Sequence, residues 1–439
     1  MTSRGGRKGT PRVFIGLLEV GGYYANLAAG LEATGAPATF ADLGDHPFRY
    51  GGGSTHPLVE LARRVRRRRV EATGAAARVV WQAAYRLVLV VLMSWALARH
   101  DVFIFGFRTT FLRLRDLAML RRLGKRVVLV FHGSDARPPY VDGADMDPAT
   151  GRSIGDCAAL ARTKKRDIAR LERSAHVIVA FPLYGHFFSR PIVGFHDVGI
   201  PQPPIADFPA LAPEAPAPPL RVLHAPSNPF VKGTARIREV IAGLVAEGLP
   251  IELVELIGVP NRVVRDELAR CHFVVDQLYS DIPVTGLVAE AARYGRPSVL
   301  GGYGWEEIRR LMPSFEWPPV ELCHPDGLEA AVRRLATDAE HRRALGLAAR
   351  RFAETWAAER VARRFLELID GRIPPEWVHT VAAVRYTHGV GLAEDRARDI
   401  VRRVIAEEGT TALQLDDRPA MRDAFVAFAR ESSPAADPG

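Results

Sequence analysis

Short apolar runs of strand length alternate along this chain with stretches of helical spacing, the order that builds parallel α/β units. The first run, Arg12–Glu19, reads as a buried strand; Gly21-Gly22-Tyr23-Tyr24 is a turn, and Ala25–Gly35 has helical spacing. Further strands are expected at Ala38–Ala41, Val102–Phe107, Arg126–Phe131, Val177–Ala180 and Ile192–Gly194. A second series, Leu220–His224, Ile251–Ile257, Phe273–Gln277, Ser298–Leu300 and Val320–Leu322, alternates with helices near 234–247, 261–270, 285–294, 304–312 and 327–336. Two more helices are expected within 337–370, and helical patterns recur at 376–385, 391–407 and 418–430.

Between Pro201 and Pro219, eight of 19 residues are proline. Proline fixes φ and removes a backbone donor, so this stretch is neither helix interior nor central strand, and it reads as an extended linker. The expected organisation is a disordered basic N-terminus (1–10), a first lobe (11–200), the linker (201–219), a second lobe (220–370), a helical C-terminal extension (371–430) and a disordered tail (431–439). The fold class is α/β: two Rossmann-like lobes whose parallel sheets face an interdomain cleft. Loops and helix N-termini converge at the carboxyl edges of such sheets, so a ligand is expected there.

Composition narrows the chemistry. The 439 residues are 48% hydrophobic and 25% charged, ordinary for a globular protein. Lys and Arg exceed Asp and Glu by 59 − 50 = 9, which admits phosphate, nucleic acid or an anionic membrane as partners, or reflects an Arg-rich composition alone. Cys157, Cys271 and Cys323 lie far apart, which excludes a disulfide framework and a Cys-based zinc site and suits a reducing cytoplasm. No apolar run of signal-peptide length follows the basic N-terminus, so secretion is not expected.

Two segments carry candidate chemistry. In His224-Ala-Pro-Ser-Asn-Pro-Phe-Val-Lys-Gly-Thr234 a strand ends, and Lys232-Gly233-Thr234 reads as opening a helix. A lysine there opposes the helix dipole unless an anion sits with it; the alternative is a solvated loop lysine. In Val275–Pro297 a polar loop precedes a helix whose Glu290 is flanked by Leu287, Val288, Ala291 and Ala292. A buried carboxylate needs hydrogen bonds. A ribose diol would supply two, and an ion pair with Arg293 or Arg296 would serve equally.

Together these segments resemble the donor lobe of GT-B glycosyltransferases, specifically the family-4-like retaining enzymes. That family has a Lys-Gly-Thr-type helix start and a Glu-Ala-Met-Ala-x-Gly-x-Pro segment, which here stands as Glu290-Ala-Ala-Arg-Tyr-Gly-Arg-Pro297. Gly21-Gly22 resembles the family's first-loop glycines, and His132-Gly-Ser-Asp135-Ala-Arg137 its His-Gly-Ser-Asp-x-Arg loop. The resemblance covers residues 11–370. It implies that Lys232 and Gly233 bind the diphosphate of a nucleotide sugar and Glu290 its ribose. The Thr285, Gly286 and Leu287 N–H groups would cap the phosphate. Gly21 and Gly22 would let the first lobe approach, and Gly258, within Ile257–Pro260, would lie by the base. His132 and Asp135 would face the sugar, making His132, Asp135 and Lys232 the catalytic candidates. His132 has three open roles: sugar or acceptor contact, weak base oriented by Asp135, or packed loop histidine.

There is one departure. The family places a first glutamate eight positions before the second, where this chain has Ile282, flanked by Asp276 and Asp281. No Asp-x-Asp metal motif stands in a suitable loop, so no metal and no cofactor beyond the nucleotide-sugar substrate is expected. The reading is a cytoplasmic glycosyltransferase acting with retention on a glycan, lipid-linked or small-molecule acceptor. A non-catalytic nucleotide-sugar- or glycan-binding relative and a sugar-nucleotide epimerase are the alternatives. A dehydrogenase is discounted because GxGxxG is absent.

Arg63–Arg69 holds six arginines in seven residues. Leu87–Ala98, twelve residues between Arg86 and Arg99, is apolar but for Ser94, and is shorter than the ~20 residues that span a bilayer. An anionic membrane surface is therefore a candidate partner through Arg63–Arg69, against a solvated basic face beside a core helix. Nucleic acid is a poorer account, since no aromatics interleave the arginines.

Overall fold

The computed structural model describes residues 9–44, 56–204, 206, 208 and 219–431. Most of the expected basic N-terminus and Pro-rich linker, and residues 432–439 of the expected tail, lie outside them. Twelve strands are present among the described residues: β1 Val13–Leu17, β2 Ala38–Asp42, β3 Val102–Gly106, β4 Arg126–Val130, β5 Val177–Ala180, β6 Ile192–Gly194, β7 Leu220–His224, β8 Ile251–Glu255, β9 Phe273–Val275, β10 Ser298–Gly301, β11 Glu321–Cys323 and β12 Val378–His379. They form two sheets, ordered β2-β1-β3-β4-β5-β6-β12 and β8-β7-β9-β10-β11, parallel throughout except for β12. The order turns at β1 and again at β7. Each sheet therefore has a switch point where loops splay apart at its carboxyl edge.

Continuous apolar runs suit strands covered on both faces. All five residues of β1 and of β3 are buried, and β1 registers Val13 against Ala38 on one side and Val102 on the other. The helix Ile154–Ser174 opens with reciprocal Ser153 and Asp156 hydrogen bonds, which satisfy two backbone donors at its start.

The chain crosses back between lobes. Helix Ala358–Ile369, at the end of the span expected as second lobe, packs on helix Tyr23–Ala33 of the first. Its apolar stripe of Val361, Ala362, Phe365 and Leu368 joins the first lobe's core. The helices touch at Gly30, where a Cβ would stand 2.2 Å from the Ala358 carbonyl oxygen. Ala358 N–H donates to Gln202 O at 2.7 Å, and Gln202 N–H to Trp356 O at 2.9 Å, so both crossings lie side by side.

The C-terminal extension also packs on the first lobe. Where a helix was expected over 376–385, the chain forms two 3₁₀ turns and the two-residue strand β12. The Pro374-Pro375 pair favours extended entry, and β12 pairs antiparallel to β6, covering an otherwise open sheet edge. Helices Glu394–Glu408 and Pro419–Arg430 follow. Between β12 and these helices the extension ties the lobes together. Gly143 N–H donates to Val390 O at 2.7 Å, and Gly391 N–H to Tyr279 O at 2.8 Å.

Gly30→Val is expected to destabilise the fold by about 1–3 kcal/mol through overpacking at the helix crossing. Gly243→Ala, on the helix Thr234–Ala246 with open space around its Cβ position, should be neutral or stabilising by up to ~1 kcal/mol. Urea unfolding midpoints of the two variants check both.

Candidate active site

The second lobe supplies most of the site. After β7, the Asn228 side-chain oxygen accepts from Phe230 N–H (2.9 Å) and Val231 N–H (3.3 Å), starting a single helical turn, Pro229–Lys232. Lys232 therefore closes a turn instead of opening the next helix, and its charge sits at the favourable end of a backbone dipole. Gly233 follows at φ 71°, a left-handed conformation that glycine adopts freely, and a Cβ there would lie 2.8 Å from that of Leu278. The helix proper begins at Thr234, held to the sheet by His224, whose ring nitrogens lie 2.8 Å from Val275 O and 2.8 Å from Thr234 Oγ1.

Lys232 Nζ lies 3.2 Å from Asp276 Oδ1 and also donates to Gln277 Oε1. Asp276, at the end of β9, is buried, and its other oxygen accepts the Thr285 hydroxyl at 2.6 Å. Thr285 Oγ1 in turn accepts from Val288 N–H at 3.3 Å, capping helix Gly286–Arg293. The Gly286 and Leu287 N–H groups take no protein acceptor among the described residues, as the first turn of a helix requires. One turn on, both Glu290 oxygens accept from Asn261 Nδ2, at 3.1 and 3.0 Å. Burial pushes the Glu290 carboxyl up to about 7, with the Asn261 amide and the Arg265 charge pulling the other way. Glu290 pairs with neither expected arginine. Arg293 lies over the Phe208 ring, and Arg296 donates to the Leu268 and Ala269 carbonyls.

Gly21, Lys232, Gly258, Gly286, Leu287 and Glu290 line one cavity of about 200 Å³, together with Ser227, Asn261 and Asp276. Gly22, Gly233 and Thr285 are not among its lining residues. Asn261 had no signal in the sequence, because its partner Glu290 lies on a different helix. Asp276 was visible only as a flank of Ile282.

The first lobe contributes less than the resemblance implied. Gly21 and Gly22 turn the chain at φ 60° and 83° into helix Tyr23–Ala33. That helix's N-terminus is already filled. Glu19 accepts from Val20, Tyr24 and Ala25 N–H, leaving no free cap for a phosphate at these groups. His132 and Asp135 are outside the cavity lining and do not form an acid–base dyad. The Asp135 carboxylate accepts from the backbone N–H groups of His132 and Gly133, while His132 Nε2 lies 3.1 Å from the Tyr24 hydroxyl. Desolvation lowers the His132 imidazole to about 3, so it is neutral at pH 7. Its surroundings are those of a packed loop histidine.

A buried ion pair closes the cleft. Arg137, from the loop after β4, donates Nε and Nη2 to the two Asp281 oxygens, each at 2.6 Å, and stacks over the Tyr184 ring. Burial alone would lower the guanidinium; the Asp281 carboxylate more than offsets it and holds Arg137 charged. Asp281 is thus engaged across the lobes and is not free to stand in for the acid missing at Ile282. Asp276 lines the cavity but is engaged as well, by Lys232 and by the Thr285 hydroxyl, so neither flanking acid is free to replace it. No group of three or more His, Cys, Asp or Glu able to hold a metal ion occurs among the described residues.

The chain resembles a structure of HepE from Anabaena in complex with UDP and glucose, with a TM-score of 0.50 at 12% identity, covering 82% of this chain and 100% of that one. Sucrose-phosphate synthase from Thermosynechococcus elongatus gives 0.49 at 14% identity, over 82% and 98% of the respective chains. Neither a family model nor a curated protein sequence matches the chain. The likeness to HepE establishes the two-lobed GT-B fold.

Arg137→Met, which strands Asp281 as an unpaired buried charge, is expected to cost about 3–5 kcal/mol of stability. The Arg137→Met/Asp281→Leu double variant should recover most of it. Denaturant titration of the two singles and the double measures the coupling.

Proposed function

We propose that this protein transfers a sugar from a nucleoside diphosphate sugar to a hydroxyl-bearing acceptor. One observation carries the reading. An ammonium, two open helix N–H groups and a carboxyl group line a single cavity at the carboxyl edge of the second sheet, facing Gly21 of the first lobe. That set complements a nucleoside diphosphate in order. Lys232 and the Gly286 and Leu287 N–H groups suit the phosphates, Glu290 with Asn261 the ribose hydroxyls, and Gly258 and Val259 the edge of the base. HepE, of the same fold, binds UDP and glucose, which supports the assignment.

The chemistry follows from where charge develops. Cleavage of the anomeric bond leaves negative charge on the diphosphate, and donors aimed there in advance stabilise the transition state. Lys232 has three N–H donors, of which Asp276 and Gln277 engage two, leaving one for phosphate. The same two contacts fix the ammonium, so little reorganisation accompanies the reaction. The acceptor hydroxyl would enter between the lobes, where positioning supplies much of the remaining rate.

A second reading, a nucleotide-sugar-binding relative without turnover, is favoured by Ile282 at the expected acid position and by Asp281 being locked to Arg137. Turnover separates the two: the transferase releases nucleoside diphosphate only when acceptor is present, and the binder never does.

A panel of UDP- and GDP-sugars is expected to contain at least one that raises the melting temperature, since ligand at 100 times its Kd adds about 2.7 kcal/mol. With that ligand, Lys232→Ala should lower kcat/KM, or affinity for a binder, by roughly ten-fold or more. Unchanged values would remove Lys232 from the site. The Glu290 carboxyl is largely protonated below pH 7 and accepts two hydroxyl donors only when ionised. Nucleotide affinity should therefore rise between pH 6 and 8 and level off above, and Glu290→Gln should flatten the profile in calorimetry.

A further inference from the structure

The outer side of the hairpin formed by helices Pro57–Glu71 and Ala75–Arg99 serves neither the cleft nor the core. The apolar run expected to span twelve residues is part of one 25-residue helix, because Arg86 continues the helix instead of ending it. At 1.5 Å per residue that helix is about 37 Å long, roughly twice the length of β3, which follows it. Its later turns bury Leu89, Leu92, Met93 and Ala96 in the first lobe's core, whereas none of residues 75–88 is buried. Only 22% of its most apolar 18-residue window, of mean hydropathy 1.5, is buried. At 3.6 residues per turn, Val80, Ala83, Leu87 and Val91 share one side, with Val79 and Val90 beside them. Val79, Val80 and Leu87 are 69, 62 and 65% exposed. A solvated helix carries polar residues on such a side.

Next to this apolar side runs a groove of about 970 Å³, lined by Arg69, Arg86, Arg113, Arg115, Arg170 and Arg173. Arg69 lies over the Tyr85 ring, and Arg170 has Asp167 at 3.5 Å. Among the described residues no carboxylate pairs with Arg86, Arg113, Arg115 or Arg173. Arg113 and Leu114 adopt left-handed backbone angles, φ 50° and 71°, which are uncommon outside glycine. Buried Asp116 holds that loop by accepting from the Thr110 hydroxyl (2.8 Å) and Phe111 N–H (3.0 Å), and Thr110 Oγ1 accepts from Leu114 N–H (2.7 Å). The strained loop presents two arginines to the groove. Of the run Arg63–Arg69 only Arg69 lines it; Arg63 is engaged by Glu60 and by the Asp42 carbonyl.

We propose that this hairpin and groove dock on an anionic phospholipid bilayer, with the valine–leucine side at the acyl boundary and the groove arginines on headgroup phosphates. Charge selects this occupant: a second copy seated on the same surface would bring two sets of six arginines together, whereas an anionic leaflet neutralises one set while covering the apolar side.

The test uses the full chain and vesicles of phosphatidylcholine, alone or with about 30% phosphatidylglycerol, at about 0.1 M salt. Wild type should sediment with the anionic vesicles and not with the neutral ones. Arg113→Glu/Arg115→Glu and, separately, Val80→Asp/Leu87→Asp should each lower partitioning by roughly ten-fold or more, with melting temperatures unchanged because these side chains are on the surface. Wild type that ignores anionic vesicles, or variants that bind as well as wild type, would overturn the proposal. So would a dimer in analytical ultracentrifugation that Leu87→Asp dissociates, since a second copy would then be the occupant.

Discussion

A buried, bidentate ion pair across the cleft sets the relation between the two lobes. Arg137 leaves the carboxyl edge of the first sheet and Asp281 the carboxyl edge of the second, and both are almost wholly removed from water. Such a pair tolerates burial only with near-ideal geometry and further partners. Here both Asp281 oxygens are met, Asp142 stands 3.5 Å from Arg137, and the Tyr184 ring covers the guanidinium. Asp281 belongs to the loop that runs from Asp276 to Thr285, so fixing it also fixes the end of β9 and the start of helix Gly286–Arg293. The crossing helix at Gly30 and the Gly143–Val390 and Gly391–Tyr279 hydrogen bonds hold the same arrangement from two other sides.

Within that frame the charged side chains of the cavity have protein partners of their own. Asp276 receives both Lys232 and the Thr285 hydroxyl, and Asn261 holds Glu290. This answers the cost of burying charge, and it keeps Lys232 and Glu290 in place on the lining of one cavity. The open N–H groups of Gly286 and Leu287 line the same cavity. In the first lobe, Glu19 caps its own helix and Asp135 holds the backbone of its own loop, while Arg137 reaches across to Asp281. Most of the polar groups that line the cavity therefore come from the second lobe.

The strands and the helices of the second lobe were legible in the sequence, because each rests on short-range pattern: apolar runs, helical spacing, turn residues. The grouping of Lys232 with Glu290 came only from the resemblance of their two segments to one family. The same local rules misplaced Lys232 by one turn, since the Asn228 cap that starts a separate turn competes with the helix that follows. They also assigned a helix to 376–385, where an unpaired sheet edge recruits β12.

The chain by itself thus determined two parallel α/β lobes, with a cation and an acid each shortly after a strand, because periodicity and turn chemistry act over a few residues. Only the tertiary structure decided that helix Ala358–Ile369 returns to the first lobe, that Asn261 serves Glu290, that Asp281 belongs to Arg137, and that His132 is packed beside Tyr24 with Asp135 turned to the backbone. Those choices depend on which buried charge or hydrogen-bonding group finds a partner far along the chain, and burial, which makes the partner necessary, exists only once the fold has closed.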